Sequence, residues 1–291
     1  MTDILLNIEK SKPGKAYKKL NNNTYLLHAV MIFICILLFI PVLITLFTAF
    51  KSPAQVAAEF PLKPPTTLYF ENFKYAIKEG NFLTGLKNSF FLVFISLVLN
   101  LVIGTTCAFV LGRFEFKAKK LIMGLFMVGL ILPGAITEIS RFVLISYIGV
   151  YNTMLAPIII YAATDVLQLY IYLQFIETIP ISLDESVRID GGNTWIVFSR
   201  IIFPLLLPAT ATVGIIKAIN VLNDMYVPYL YMPSAKLRTL TTILMDFNGA
   251  ITGKMYYLSA AVVIVAIPTV LIFLCFQKYI FAGIVAGAVK E

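Results

Sequence analysis

Residues 182–208 read SLDESVRIDGGNTWIVFSRIIFPLLLP, a polar segment that lies between two apolar ones. Pro180 closes the apolar segment before it, because proline lacks a backbone donor and interrupts a helix. Ser182, followed three residues later by Glu185, has the spacing of a capping box, which marks the start of a helix. A short helix is therefore predicted to begin at Ser182.

The charges along this helix agree with its polarity except at its end. Asp184 and Glu185 fall in the first turn, where the helix dipole favours acids. Arg188 follows Asp184 by four residues, which is the favourable order for a helical ion pair. Asp190 is an acid at the C-terminal end, where the dipole disfavours it. Such violations are typical of functional sites, so Asp190 is a candidate functional residue.

The pair Gly191-Gly192 predicts where this helix stops. Glycine supplies the positive φ that a helix C-terminal cap requires. Asn193 or Thr194 can then start a second helix. The segment is therefore predicted to be a helix, a sharp bend and a new helix.

Composition fixes the broad class of the chain. Of its 291 residues 59% are hydrophobic and only 13% are charged, and the mean hydropathy is +0.89. These values exclude a water-soluble surface and predict an all-α, polytopic membrane protein. The apolar segments predict six transmembrane helices, at about 25–50, 87–112, 119–144, 153–176, 199–222 and 257–281. The third is interrupted by polar and helix-breaking residues, namely Pro133, Gly134, Glu138 and Arg141.

Basic residues predict the orientation, because short cytoplasmic loops carry an excess of lysine and arginine. Two such groups are present: Arg113, Lys117, Lys119 and Lys120 after the second span, and Lys10, Lys12, Lys15, Lys18 and Lys19 at the N-terminus. Both are predicted to be cytoplasmic, and an even number of spans then places the C-terminus and Asp190 there too. The net charge of +8 fits contact with anionic lipid and requires no nucleic acid.

Enzyme chemistry has few residues to use in this chain. The segment GAITGK at 249–254 departs from a phosphate-binding loop in its glycine spacing and in Met255, which replaces the required Ser or Thr. His28 is the single histidine, and Cys35, Cys107 and Cys275 have no metal-ligand spacing. The sequence thus predicts no catalytic residue, no metal site and no cofactor bound by this chain.

Polar residues within spans are costly, so each is a candidate for a transport pathway. The candidates are Lys217, Asn220, Asn223 and Asp224 on span five, and Asp165 and Gln168 on span four. The alternative is structural: Lys217 pairs with Asp224, and Glu138 of span three pairs with Arg141. The sequence leaves both possibilities open.

Several motifs carry a family resemblance. Glu185-Ser186-Val187, Asp190-Gly191, Phe203-Pro204 and Pro208 resemble the EAA loop of bacterial ABC importer permeases. Ser186 and Val187 stand where alanines are usual, and Gly192 stands where alanine is frequent. The stretches GVYNTMLAPII (149–159), NVLNDMYVP (220–228) and GIVAGAVKE (283–291) are similar to the maltose-type, carbohydrate-uptake permeases.

This resemblance implies a permease subunit of a type I ABC importer for a carbohydrate, most simply an oligosaccharide. It implies a second permease, two ATPase subunits that carry ATP and Mg, and an extracytoplasmic solute-binding protein. It also implies that the loop contains the ATPase-coupling helix, formed by Leu183, Asp184, Glu185, Ser186, Val187, Arg188, Asp190, Gly191 and Gly192. The chain then divides into a cytoplasmic arm (1–24), a transmembrane domain (25–282) with a coupling loop (177–198), and a cytoplasmic tail (283–291).

Two alternatives remain open from the sequence. One is an ABC permease for another solute, such as glycerol phosphate or a polyamine. The other is an ion-coupled secondary transporter that uses the intramembrane charges as coupling sites. A capped cytoplasmic helix with the motif around Asp190 is the feature that favours an ABC permease over a secondary transporter.

Overall fold

The computed structural model describes the backbone of residues 22–250 and 254–288, and the side chains of residues 25–134, 136–247 and 254–277. Within these ranges every regular element is a helix, which confirms the all-α class. Most of the predicted N-terminal arm, residues 1–21, lies outside the described residues, as does the end of the predicted tail, residues 289–291.

The helices follow one another with short connections. In chain order they are α1 (Asn22–Phe50), α2 (Pro53–Ala58), α3 (Glu71–Gly80), α4 (Phe82–Arg113), α5 (Lys119–Ile131), α6 (Gly134–Tyr147), α7 (Leu155–Ala162), α8 (Val166–Thr178), α9 (Ser182–Ile189), α10 (Thr194–Val197), α11 (Phe203–Leu205), α12 (Leu207–Asn223), α13 (Tyr226–Tyr231), α14 (Leu240–Ala250) and α15 (Met255–Ala288). A π-helical turn, Phe198–Ile202, joins α10 to α11, and a 3-10 turn, Ala235–Leu237, precedes α14.

Three helices, α1, α4 and α15, are each long and apolar enough to cross a bilayer. The other predicted spans are bent pairs. α5 and α6 meet at 113°, α7 and α8 at 43°, and the helix ending at Leu205 meets α12 at 70°. If each bent pair is one crossing, the described part of the chain has six spans at the predicted places. Proline explains two of the bends: Pro133 precedes α6, and Pro208 is in the first turn of α12.

Helix α4 lies at the centre of the packing, against α7, α8, α12 and α14. Small and medium-sized residues at four-residue spacing, Ser96, Asn100, Gly104 and Ala108, form a buried stripe on α4. At Gly104 an added Cβ would lie 2.4 Å from Gln168 Nε2 on α8. Gly104 therefore lets α4 and α8 approach closely.

The two ends of α4 define the two ends of the molecule. At its C-terminus Arg113 contacts the 177–198 loop, and we call this the loop end. At its N-terminus Asn88 Nδ2 donates to the carbonyl oxygens of Lys236 and Arg238, both at 2.9 Å. We call this second end, with residues 51–81 and 224–247, the far end.

The far end contains a buried lysine. Lys51 is 1% exposed, and its Nζ donates to the Phe60 carbonyl at 3.1 Å and lies 3.6 Å from Glu59 Oε2. Asn72 Nδ2 donates to the carbonyls of Ala49 and Lys51, both at 2.9 Å. These bonds satisfy the carbonyl groups at the end of α1 and join the segment 51–72 to it.

Candidate functional site

The start of α9 differs from the sequence prediction. The capping box of Ser182 and Glu185 is wrong, because Ser182 is already the first helical residue and Ile181 occupies the cap position. The chain enters the helix through a turn after Pro180, and Ile181 already has helical angles. Backbone carbonyls take the place of a side-chain cap: Ile181 O accepts from the N–H groups of Asp184 at 2.9 Å and Glu185 at 3.2 Å.

The end of α9 confirms the predicted bend. Gly191 has a φ of 81°, Gly191 N donates to Arg188 O at 3.1 Å, and Gly192 N donates to Val187 O at 2.8 Å. This pair of bonds is a Schellman motif. At Gly192 an added Cβ would lie 2.5 Å from Val187 Cγ1 and 2.8 Å from Val187 O. The first glycine is thus required by its conformation and the second by the lack of space.

The start of α10 also follows the prediction. Asn193 Oδ1 accepts from Ile196 N at 3.0 Å, so Asn193 caps the second helix. Its cap fixes the direction in which the chain leaves the bend and returns towards the membrane spans.

The predicted ion pair of Asp184 with Arg188 is wrong. Asp184 pairs with Arg113, whose Nε lies 3.1 Å from Asp184 Oδ2, and the two side chains are only 8% and 10% exposed. Arg113 Nη2 also donates to Ile179 O at 2.9 Å. Asp184 lies on the buried face of α9 while Arg188 is exposed. A solvated pair within one helix gains little energy, so the buried carboxylate pairs with the guanidinium that reaches it.

The outer face of the loop combines apolar and charged side chains. Ile189 is 85% exposed, Trp195 66% and Ile181 64%. Most of the predicted coupling residues share this exposed face, namely Leu183, Glu185, Ser186, Arg188, Asp190 and Gly191. Val187 and Gly192 are half-buried and Asp184 is buried. Large apolar side chains among charges at a polar end are typical of a protein-binding surface.

Aromatic rings make a second connection between the loop and α4. The Phe198 ring lies 5.6 Å from Trp195 and 5.2 Å from Phe109 of α4. Phe109 in turn lies 5.5 Å from Phe114. The loop is therefore attached to the end of α4 on both sides of its bend, through Asp184 before it and Phe198 after it.

The sequence indicated Arg113 only as an orienting charge and gave no sign of the Phe109–Phe198 contact. The partners of both contacts are far apart in the chain, and only the fold brings them together. One signal was available: Arg113 is the single arginine in a loop whose other basic residues are lysines.

The pathway candidates do not form one cluster. Lys217 Nζ lies 3.6 Å from Asp165 Oδ2, so the pairing of Lys217 with Asp224 is wrong. Asp224 Oδ2 accepts from the Tyr161 hydroxyl at 2.7 Å, and its Oδ1 accepts from Tyr226 N at 2.8 Å. Asp224 is thus engaged at the start of α13, because its short side chain can accept the first N–H groups of that helix.

The remaining candidates differ in whether their side chains form hydrogen bonds within the chain. Asn223 Oδ1 accepts from the Thr269 hydroxyl of α15 at 2.9 Å. Gln168 is buried, and its Nε2 donates to Asn100 O at 3.4 Å. Asn220 is exposed and forms no side-chain hydrogen bond with the described part of the chain. Asn220 and the Lys217–Asp165 pair are therefore the candidates that the packing between helices does not explain by a hydrogen bond.

The other proposed structural pair is confirmed. Arg141 Nη2 contacts Glu138 Oε2, and the Tyr231 hydroxyl donates to Glu138 Oε1 at 2.7 Å. The carboxylate of α6 is therefore bonded to α13 at the far end, where it holds two elements together.

This fold, with up to six bent or straight spans and an exposed helical loop, defines a multi-pass membrane protein of the transport-permease type. The chain belongs to the family of binding-protein-dependent transport system inner membrane components, whose family model matches residues 101–285. Members of this family are transport subunits and not enzymes.

Known relatives agree with this membership. The putative ABC transporter permease protein ORF2 of Caldicellulosiruptor sp. (strain Rt8B.4) is 32% identical over 86% of this chain and 91% of its own. The melibiose/raffinose/stachyose import permease protein MelC of Bacillus subtilis is 31% identical over 87% of this chain and 91% of its own. The diacetylchitobiose uptake system permease protein DasC of Streptomyces coelicolor is 28% identical over 90% and 95%.

A solved structure supports the fold. One chain in the crystal structure of a bacterial ABC transporter involved in the import of the acidic polysaccharide alginate superposes with a TM-score of 0.77. The match covers 90% of this chain and 98% of that chain, at 18% sequence identity. The likeness establishes the importer permease fold.

Proposed function

We propose that this chain is one membrane subunit of an ABC importer that carries a carbohydrate, in particular an oligosaccharide, into a bacterial cell. MelC and DasC, which are named for the import or uptake of short saccharides, support this substrate class. The chain itself supplies a membrane pathway and no ATP chemistry.

The observation that carries the proposal is the exposed face of α9. Its apolar residues, such as Ile189, are surrounded by the charges of Glu185, Arg188 and Asp190. This surface suits a cleft on an ATPase subunit that covers the apolar groups and pairs the charges. Two ATPase subunits would bind ATP and Mg, and nucleotide-driven closure would displace α9 and switch the spans between inward- and outward-facing states.

Further partners follow from the surfaces of the spans. In α1 residues 25–39 are all exposed, and an apolar helix exposed around its circumference requires lipid or a second membrane subunit. A homologous second permease and the surrounding lipid would cover this helix. The loop end would face the cytoplasm, as would both termini, and the far end would receive the solute-binding protein.

The pathway is proposed to pass the open polar residues of α12 and the bend between α7 and α8. Lys217, Asp165 and Asn220 offer donors and acceptors there that a saccharide could use. Asn223, Asp224 and Gln168 would support this region through their contacts with neighbouring elements.

Reconstitution of the whole complex tests the proposal. The chain should be co-purified with its companion subunits, placed in lipid vesicles with ATP inside, and supplied with the binding protein outside. We expect raffinose or stachyose to stimulate ATP hydrolysis and to accumulate in the vesicles. An Ile189→Asp variant should lose the ATPase subunits, because a charge replaces the most exposed apolar contact on α9.

The alternatives correspond to different outcomes of the same assay. Stimulation by glycerol 3-phosphate or spermidine, and not by saccharides, would assign another solute. Uptake that needs an ion gradient and proceeds without internal ATP would indicate a secondary transporter and would overturn the proposal.

A further inference from the structure

The coupling helix α9 is separated from both of its neighbouring spans by breaks in the helical backbone. On one side α8 ends at Thr178, and Ile179 is extended before the turn at Pro180. On the other side the chain passes the Gly191 bend, the π-helical turn Phe198–Ile202 and the 70° bend before α12. Neither covalent connection is a continuous helix that could carry a displacement directly.

The buried ion pair of α9 leads instead to α4. We propose that Arg113 joins α9 to α4 as one rigid unit, so that a movement of α9 by the ATPase moves span two directly. This inference rests on the proposed function, since it assumes that an ATPase displaces α9. Arg113 would be a positioning residue that makes no contact with the ATPase or the solute.

Arg113 contacts two residues, Ile179 and Asp184, which lie on either side of Pro180 in the chain. Its Nε is 3.1 Å from Asp184 Oδ2, and its Nη2 donates to Ile179 O at 2.9 Å. The contact with Asp184 is an ion pair without a hydrogen bond, and the contact with Ile179 is a hydrogen bond. A planar guanidinium carries its charge and its N–H groups in a fixed arrangement, so it can hold the helix and the preceding backbone together. A lysine carries one flexible ammonium and could not hold both with the same geometry.

Burial makes this connection stiff. The Arg113 and Asp184 side chains are 8% and 10% exposed, and separating them would leave two unpaired charges with little access to water. By contrast, Lys119 pairs with Glu115, whose side chain is 89% exposed, on the same short loop. Water readily replaces that second pair, so it offers a matched control.

The aromatic contact supports the same unit from the other side of the bend. Phe198, which is buried, lies 5.2 Å from Phe109 of α4. Packed rings resist displacement because interior side chains interdigitate with few voids. The loop is therefore held to α4 both before and after Gly191.

A distance measurement tests the rigid unit. Spin labels at Val110 on α4 and at Ser182, the first residue of α9 and outside the predicted coupling set, would be placed in the complete complex in lipid nanodiscs; both residues are exposed. We expect the label distance to stay the same with and without ATP in the wild-type background. With Arg113→Met we expect it to change when ATP binds, because α9 then moves without α4. A nucleotide-dependent distance in the wild-type background would overturn the inference.

A coupling measurement tests its consequence. Transport per ATP hydrolysed should fall by about fivefold or more in Arg113→Met, whereas Lys119→Met should match the wild type. Arg113→Lys should give an intermediate ratio. The exchanged pair Arg113→Asp with Asp184→Arg should recover part of the loss, which also covers the case in which Arg113→Met fails to assemble. A wild-type ratio in Arg113→Met, or no recovery in the exchanged pair, would overturn the inference.

The same assay separates this inference from the proposed function. If the wild-type complex hydrolyses no ATP or transports no saccharide, the proposed function fails. If the wild-type complex transports with ATP and Arg113→Met keeps its ratio, only the role of Arg113 fails.

Discussion

Gly191 lies in the left-handed region of backbone space, with a φ of 81° and open space around its Cα. A side chain there meets no neighbour, so the cost of a substitution comes from the conformation itself. β-branched residues bear this cost most heavily, and asparagine tolerates the conformation better than other residues.

We therefore expect Gly191→Val to cost about 1–2 kcal/mol locally and to redirect the end of α9. The complex should bind less ATPase subunit, and its saccharide-stimulated ATP hydrolysis should fall. Gly191→Asn is the matched control and should stay close to wild type. Equal losses in both variants would mean that the side chain, and not the backbone conformation, is responsible.

Asn220 and Asn223 lie three residues apart on α12, yet the structure gives them different surroundings. Both side chains are exposed, but Asn223 accepts a hydrogen bond from Thr269 at 2.9 Å, while Asn220 forms no side-chain hydrogen bond with the described part of the chain. A lost hydrogen bond between helices lowers stability, whereas a lost contact with a solute lowers transport only.

Asn223→Ala should therefore lower the thermal stability of the detergent-solubilised complex, by about 0.5–1.5 kcal/mol for one hydrogen bond, and leave transport per assembled complex unchanged. Asn220→Ala should lower transport per assembled complex and leave the thermal stability unchanged. Both quantities are measured on the same preparations. A wild-type transport rate in Asn220→Ala would remove that residue from the pathway.

At the scale of single residues, the sequence predicted the local features that depend only on neighbours along the chain. The bend at Gly191-Gly192 and the cap at Asn193 follow from local backbone requirements, and both are present. The partners of Asp184 and Lys217 depend on which helices pack together, and local spacing pointed to the wrong residues. The predicted capping box at Ser182 is absent for a related reason. The turn after Pro180 starts the helix at Ser182 itself, one residue earlier than a helix capped by that serine would start.

Among the helices, the bend between α7 and α8 depends on one side chain of α4. Asn100 Nδ2 donates to Ala163 O at 2.8 Å and to Tyr161 O at 3.2 Å. The bend frees these carbonyl groups from the helix, and within a bilayer they require a protein partner. The sequence placed a single span here, because the bend involves no proline and its donor is on another helix.

Asn100→Ala should destabilise the complex by about 1–3 kcal/mol, the cost of leaving buried acceptors without a donor. We expect the lower part of this range, since Asn100 Oδ1 has no partner among the described residues and its removal costs nothing. Asn88→Ala is the control, because Asn88 also donates to two carbonyls but at the far end, where water can replace it. Thermal unfolding in nanodiscs measures both, and equal stabilities would contradict the prediction.

Glu59 is the group through which we expect the segment 51–63 to respond to pH. A hydrogen bond from Lys63, assisted by the charges of Lys63 and Lys51, lowers the pKa of Glu59 below its usual 4.5. A lowered carboxyl pKa contributes stability that is present above that usual pKa and is lost as the pH falls through the lowered value. Protonation of Glu59 would also remove the negative charge that lies beside the buried Lys51 ammonium.

We therefore expect limited proteolysis of residues 51–63 to accelerate as the pH is lowered below about 4.5. Glu59→Gln should be cleaved faster at neutral pH and lose the acid dependence, since its amide does not titrate. Lys74→Met, which removes an exposed pair with Glu71 on the same end, should retain the wild-type profile. An unchanged acid dependence in Glu59→Gln would assign the effect to another group.

For the whole molecule, hydropathy predicted the approximate positions of the apolar segments, because the bilayer sets their length; they make six spans if each bent pair crosses the bilayer once. Hydropathy does not predict whether a span is straight or bent, or where its helix begins and ends. Helix α4 begins at Phe82 and α15 continues to Ala288, and both limits lie beyond the predicted ones. A helix can continue past the apolar segment that hydropathy detects, because its backbone hydrogen bonds do not depend on lipid.

The fold also constrains the topology. Arg113 contacts the loop of Asp184 at one end of α4, and Asn88 contacts the segment of Lys236 at the other. Residues 113–120 and 177–198 therefore lie at one end of α4, and residues 51–81 and 224–247 lie at the other. Since α4 is long and apolar enough to cross a bilayer, the two groups are expected on opposite sides of the membrane. The excess of lysine and arginine in the short 113–120 loop predicts that the first of these sides is cytoplasmic.

Labelling of single cysteines tests this orientation. With Cys35, Cys107 and Cys275 replaced, a membrane-impermeant thiol reagent added to intact cells should label Pro233→Cys. It should label Lys117→Cys and Ser186→Cys only after the cells are permeabilised, because both would face the cytoplasm. If both Pro233→Cys and Lys117→Cys were labelled in intact cells, the prediction that these residues lie on opposite sides of the membrane would be wrong. Labelling of Ser186→Cys and Lys117→Cys without Pro233→Cys would keep the arrangement and invert it, which would place α9 on the side where no ATP is available to an ATPase.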